Sequence, residues 1–158
     1  VGGDTLQGVV RAAEIGDAWL TSPRHSKKFI RQAVKVYGER RKALGLQVPP
    51  PVFFREMYVA PTRAEAEQLI TDAFERLYHV YHRAGQPGES YNRSFQELKE
   101  ERVIVGTPDD VRHEIEWYRD EFQAEYMFFR VYYLGMDPQR SVDCIRLFGS
   151  EVIPHFSE

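Results

Sequence analysis

The stretch VIVGTPDDVRHEIEWY, Val103 to Tyr118, followed closely by YMFFRVYY, Tyr126 to Tyr133, decides how this chain is read. Thr107 offers a hydroxyl that caps a helix, and Pro108 suits the first helical position. Asp109 and Asp110 then set negative charge against the positive end of the helix dipole. Val111, Ile115, Tyr118 and Phe122 recur at helical spacing and predict one buried stripe. Tyr126 to Tyr133 has almost no polar alternation, which predicts a strand covered on both faces. Such a strand must lie against a partner, because a bare row of unpaired amides and carbonyls on an apolar strand invites aggregation.

The alternation continues outward in both directions. Upstream, Leu6, Val9, Val10 and Ala13 form a helical stripe that stops at Gly16, and a short apolar piece, Ala18-Trp19-Leu20, follows. After the Thr21-Ser22-Pro23 loop, Ile30, Ala33, Val34 and Tyr37 mark a second helix ending near Leu44-Gly45. Pro49 to Pro51 forbid helix and lead into the β-rich run VFFREMYVA, Val52 to Ala60. Pro61-Thr62 opens a third, long helix with Ala66, Leu69, Ile70, Ala73, Leu77 and Val80 on one face. Gly85 to Gly88, with Ser90 and Asn92, ends it, and a loop or short helix reaches Glu100. Downstream, Pro138 starts a last helix with Val142, Ile145, Phe148 and Val152 predicted to face inward. Helices and apolar strands in alternation define α/β architecture with a mostly parallel sheet.

Composition limits the function classes. With 158 residues, 42% hydrophobic and 13% aromatic, the chain is long enough to bury a core as one domain. Lys and Arg total 21 against 24 Asp and Glu, a net charge of −3, so no basic face is expected to attract nucleic acid or anionic lipid. The apolar runs are broken by Arg130 and Gly135 before they reach the ~20 residues of a membrane span. Cys144 is the single cysteine, which excludes an internal disulfide and a two-cysteine metal or redox motif. Its position on a helix reads as a small buried group, and a reducing cytoplasm is the expected location. His79 and His82 lie three apart on the third helix with no further ligand, so they read as a wet helix end. No Ser-His-Asp, paired-carboxylate or phosphate-loop pattern points to hydrolysis or nucleotide triphosphate use.

Four segments together resemble the C-terminal half of the bacterial luciferase-like family of flavin-dependent oxidoreductases. They are VGGDTLQGVVRAAEIGDAWL (Val1 to Leu20), REMYVAPTRAEAEQ (Arg55 to Gln68), VIVGTPDDV (Val103 to Val111) and FFRVYYLGMDPQRSVDCIRLFGSEVIPHF (Phe128 to Phe156). The resemblance implies a (β/α)8 TIM barrel with parallel strands inside and helices outside, and flavin across the C-terminal ends of the strands. A whole barrel of that kind needs ~250 residues, so residues 1 to 158 would be a single C-terminal half-barrel, part of a longer polypeptide. Val1 would stand at the end of the fifth strand and Tyr126 to Tyr133 would be the eighth. Its closing partner is then an N-terminal half or another copy of the chain. The cofactor implied is FMN, or a deazaflavin, and the activity is monooxygenation or related oxidoreduction of a small organic substrate. Two alternatives carry no such activity: a non-catalytic half-barrel that assembles through its edges, and a flavodoxin-like binding domain.

In barrels of this type the working groups lie after strand C-termini. Gly2 and Gly3 stand there, with Asp4 and Thr5 opening a helix. Glycines admit a ligand close to the backbone and helix N-terminal amides suit a phosphate, although a carboxylate at Asp4 opposes an anion. The competing reading is a tight turn with Asp4 or Thr5 as a plain cap. Trp19, Thr21, Ser22, Arg24 and His25 follow the next short strand; Trp19, Thr21 and Arg24 would line a substrate pocket, or else fill the barrel wall and a solvated loop. Arg130 sits inside a strand, where a charge is costly unless paired. A structural ion pair, with Glu56 or with a carboxylate in the absent half, is the leading expectation, and substrate recognition the other.

Overall fold

The computed structural model describes residues 1–86, 91 and 93–157. Each helix begins on a side chain that accepts one of its free amides. Thr5 caps α1 (Leu6–Ile15), Ser26 caps α2 (Lys27–Ala43) and Thr62 caps α3 (Arg63–Arg83). Ser94 and Glu97 form a capping box on α4 (Phe95–Arg102), and Thr107 and Asp110 form another on α5 (Pro108–Phe122), with Pro108 in the first turn. Asp137 caps α6 (Pro138–Leu147), which runs on through a π turn, Phe148–Val152, and a 3-10 turn, Ile153–Phe156. The α5 box also explains Gly106. At φ +146° its backbone turns Asp110 back onto the Thr107 amide, and a Cβ there would collide with the Asp110 carboxylate.

Strand β1 (Phe53–Val59) lies at the centre, parallel to β2 (Val103–Gly106) and β3 (Met127–Arg130), in the order β2-β1-β3. Successive amides of a strand point to opposite sides, and here the Val52 amide donates to the Trp19 carbonyl while the Phe53 amide donates to that of Tyr126. The Gly2–Leu20–Val52 row of parallel bridges therefore continues the sheet on the side away from β3. Farther along that same side the Ala60 amide reaches Gly106 of β2. The result is an arc of parallel segments, Gly2, Leu20, β1 and β3, with β2 an added piece. The β2 strand was not expected; four residues leading directly into a helix cap are too short to show a period of two.

Odd residues of β1 face the helices. Phe53 packs on Tyr118 and Phe122 of α5, and Arg55, fully buried, donates to the carbonyls of His25 and Glu101 at 2.6 and 2.9 Å. Even residues face the inside of the arc: Phe54 stacks on Phe128, and Glu56 meets Arg130. A second, smaller core joins α1 and α2 around Val9, Ala12, Ala13, Ala33 and Tyr37.

Three expectations need correction. The covered strand Tyr126 to Tyr133 is a four-residue strand with one partner, and Tyr126 and Phe128 are 68% and 42% exposed. The last helix turns Ser141 and Cys144 inward while Ile145 is 55% exposed and Val142 also faces out. Val80, near the end of α3, is exposed as well. The first two departures have one physical cause: hydrophobicity alone predicts burial, and the described residues supply nothing to cover these side chains. The residues placed at the end of the third helix, 87–90 and 92, lie outside the described residues. Among the described residues no helix is long and apolar enough to cross a membrane.

Candidate functional site

The C-terminal ends of the first two segments open on a cleft of about 610 Å³ lined by Gly2, Gly3, Asp4, Thr5, Arg11, Thr21 and Phe54. Four of the residues singled out at the helix start and two from the next loop, Thr21 and Ser22, thus meet in one place. The backbone accounts for it. Gly3 lies directly against the first turn of α1, where an added Cβ would be 2.5 Å from the Gly8 carbonyl carbon; at Gly2 an added Cβ would meet nothing within 4 Å. Gly3 therefore docks the turn on its helix, and Gly2 leaves space. Thr5 accepts the Gly8 amide at 3.2 Å, so the Leu6 and Gln7 amides at the helix start have no partner within the helix. Arg11 lines the same cleft and, among the described residues, has no carboxylate partner. Gln7 and Arg11 stand four apart on the α1 face that meets the cleft, a spacing visible in the sequence and passed over there.

Asp4 is neutralised where it stands. Its carboxylate pairs with the Arg24 guanidinium, and His25 Nε2 is 3.7 Å from the other oxygen. Arg24 also donates to Gln86 Oε1 at 3.0 Å and lies 5.0 Å from the ring centre of Tyr81 on α3. It stands behind the cleft wall and does not line the pocket. His25 is buried beneath Phe29 and takes the Ser22 amide on Nδ1 at 3.2 Å, so it is neither a solvated loop residue nor a pocket residue.

Trp19 is fully buried in the α1–α2 core, with Tyr37 6.2 Å away, because it precedes inward-facing Leu20 on the strand and so turns to the helices. It packs on protein and has no face for a ligand. Thr21 does reach the cleft, but its hydroxyl also accepts the Phe54 amide at 3.0 Å and carries the ladder past the point where the strand ends.

Inside the arc, Arg130 Nη1 donates to Glu56 Oε1 at 3.2 Å and to the Tyr81 hydroxyl at 2.9 Å, with its guanidinium 5.4 Å from the centre of the Phe54 ring. The expected ion pair is present. Glu56 is fully buried, and burial pushes its carboxyl up to about 6 against the pull of Arg130. The Tyr133 hydroxyl stands beside this carboxyl, 3.1 Å from the Arg130 carbonyl and 3.4 Å from that of Met57. Tyr81 and Tyr133 were not foreseen. Both meet the pair through tertiary packing that no local spacing signals.

No family model matches the sequence. A curated relative, protein unc-13 homolog D of Rattus norvegicus, is 35% identical over 79 residues, half of this chain and 7% of that protein. The chain spans so little of that relative that the match assigns nothing. Solved structures fix the fold. A type II Baeyer-Villiger monooxygenase of Pseudomonas putida, in complex with FMN, superposes with a TM-score of 0.75 at 18% identity over 98% of this chain and 47% of its own. The coenzyme F420 dependent tetrahydromethanopterin reductase of Methanopyrus kandleri gives 0.70 at 19% identity over 99% and 50%. A monooxygenase of Streptomyces bottropensis gives 0.68 at 21% identity over 99% and 47%. The fold is therefore half of a (β/α)8 barrel of the kind these structures share, and the chain spans about half the length of the structures it matches.

Proposed function

We propose that the chain is the C-terminal half of a flavin-dependent monooxygenase or related oxidoreductase, one domain whose cleft beside Gly2 and Gly3 holds the phosphate end of FMN. The observation that carries this is the cleft itself: space at Gly2, the Leu6 and Gln7 amides at the start of α1, and Arg11 on the same wall. Arg24 removes the objection to Asp4 by pairing with it, so a phosphate there meets a paired carboxylate and the Arg11 guanidinium, which has no carboxylate partner among the described residues. Phe54 and Phe128 give an apolar surface that keeps water from the inner face. When bound, the flavin supplies the redox chemistry, which leaves the protein to hold, orient and shield. A deazaflavin carrying a phosphate fits the same groups, and the partner in the reaction is a small organic substrate.

The half-barrel closes on an N-terminal half or a second copy. A groove of about 930 Å³ between the open side of β3 and the C-terminal turns, lined by Phe128, Ile145, Ile153 and Phe156, is where that surface would seat. The cytoplasm is the expected location, given one buried cysteine.

The test compares FMN with riboflavin, which lacks the phosphate, by quenching of flavin fluorescence. FMN binds at least about tenfold more tightly if the phosphate is held, and Arg11→Gln narrows the gap. Equal affinities for the two would remove the cofactor assignment.

A further inference from the structure

Beyond the phosphate cradle, a second guanidinium stands near the cleft. Contacts run in sequence from Asp4 to Arg24, to the Tyr81 ring, to Arg130 through the Tyr81 hydroxyl, and back to Phe54. Asp4 and Phe54 both line the cleft, so Arg130 stands one side chain from it. Only Nη1 of Arg130 is engaged with Glu56 and Tyr81, and about a quarter of the side chain (26%) is exposed. A guanidinium held on one nitrogen keeps its remaining N–H groups for a second, bidentate partner. Beside it, Phe54 and Phe128 stack at 4.5 Å with their planes 18° apart, a flat apolar shelf with Phe128 partly open.

We propose that Arg130, fixed by Glu56 and Tyr81 and set beside the Phe54–Phe128 shelf, selects substrates that are planar carboxylates, the aromatic body lying on the shelf and the carboxylate on the free guanidinium edge. This rests on the flavin reading for the chemistry that follows, and goes beyond it by naming the substrate class. Glu56 is the positioning residue. Its carboxyl has one oxygen on Arg130, the Tyr133 hydroxyl beside it, and a fully buried setting. That is an unfavourable place for a carboxylate unless the pair has a use.

The same arrangement couples binding to a proton. The groups facing Glu56 are Arg55 on its own strand, Arg130 and Tyr133 on and after β3, Tyr78 and Tyr81 on α3, and Arg24 in the loop before α2. Glu56 helps hold Arg130 above its usual range, and burial raises the Tyr78 and Tyr133 hydroxyls. With Glu56 ionised the pair is neutral. With Glu56 protonated Arg130 is an uncompensated cation, so a carboxylate ligand binds more tightly and takes up a proton as it does.

Benzoate and its neutral counterpart benzyl alcohol are the probes, with FMN titrated separately into the same proteins. The native chain is expected to prefer benzoate by at least about tenfold. Its benzoate affinity should rise from about pH 7 to about pH 5, where benzoate is still ionised. Arg130→Met should abolish the preference and leave benzyl alcohol binding unchanged. Because that variant strands Glu56, the neutral pair Glu56→Gln with Arg130→Met serves where the single one fails to fold. Glu56→Gln alone should keep the preference and lose its pH dependence. A folded Arg130→Met or double variant that binds benzoate as the native chain does, or a native chain with no preference, overturns the proposal. Failure of FMN binding with the benzoate contrast intact would instead remove the cofactor reading.

Discussion

Adjacent glycines with opposite surroundings allow a crossed experiment. At Gly3 an added methyl would sit 2.5 Å from the carbonyl carbon and 2.8 Å from the carbonyl oxygen of Gly8. Ordinary contact begins near 3.4 Å, and both sides here are backbone, so the turn must part from the helix. Overpacking of this kind costs about 1–3 kcal/mol. In a protein of 158 residues each kcal/mol moves Tm by about 2–4 °C, so Gly3→Ala should lower Tm by about 2–12 °C. At Gly2 nothing lies within 4 Å of the added atom. Gly2→Leu should therefore change stability by less than about 1 kcal/mol, part of it a gain from a less flexible unfolded chain. FMN affinity reverses the order. The Leu side chain occupies the space assigned to the phosphate and should weaken FMN by at least about tenfold, with riboflavin much less affected. Thermal unfolding by circular dichroism and flavin fluorescence titration read the two axes. A Gly3→Ala protein as stable as the native one would refute the packing argument, and a Gly2→Leu protein with native FMN affinity would refute the site.

Three further outcomes follow from buried groups. Glu56, pushed up to about 6 from 4.5, holds its proton more tightly folded than unfolded. Its contribution is full at low pH and is lost as pH rises through that window, about 2 kcal/mol at most. Glu67, Glu97, Asp110 and Glu116 are shifted down, so their contributions are lost on the acid side instead. Urea denaturation at stepped pH should show a downward slope from about pH 4.5 to about pH 6 that Glu56→Gln removes. Arg55→Met should cost about 3–5 kcal/mol by stripping the donors from the His25 and Glu101 carbonyls, and unfolding within about 1 kcal/mol of native would contradict that. Cys144, pushed up to about 11 by burial and accepting the Val59 amide at 3.4 Å, should react with a thiol reagent only as fast as the chain unfolds.

Local chemistry was legible where it is local. The Thr107-Pro108-Asp109-Asp110 run specified a capped helix start, and the structure adds only that Asp110 closes the box. Gly2, Gly3, Asp4 and Thr5 line one cleft for the same reason, since four neighbours at a strand end travel together. Trp19 and Arg24 were placed on the wrong side of a wall. The strand that carries Trp19 is represented by one bridged residue, Leu20, which is too short for its alternation to be read from sequence. For Arg24 no local spacing signals Asp4, its partner twenty residues back. The pairing of Glu56 with Arg130 could be anticipated because two charges inside apolar strands need each other; Tyr81, arriving on a long helix from another direction, could not.

The two misread apolar stripes say the most about the chain. Tyr126 just before β3, Phe128 on β3 and Ile145 on α6 carry the hydrophobicity of a core and the exposure of a surface. Burying an exposed side chain of this size is worth about 1.5–3 kcal/mol, so several of them left in water are a standing cost that a soluble monomer has no reason to keep. They also converge, since Phe128 and Ile145 line the same groove beside the unpaired edge of β3. Unpaired backbone and an uncovered apolar face at one place are what a barrel presents where its arc is interrupted. If that face seats a closing partner, Ile145→Lys should leave the thermal unfolding of the isolated chain unchanged while preventing association, read by sedimentation across a concentration series or by complementation with an N-terminal half. A loss of stability in the isolated chain, with association intact, would instead place Ile145 in a core that this arc already completes.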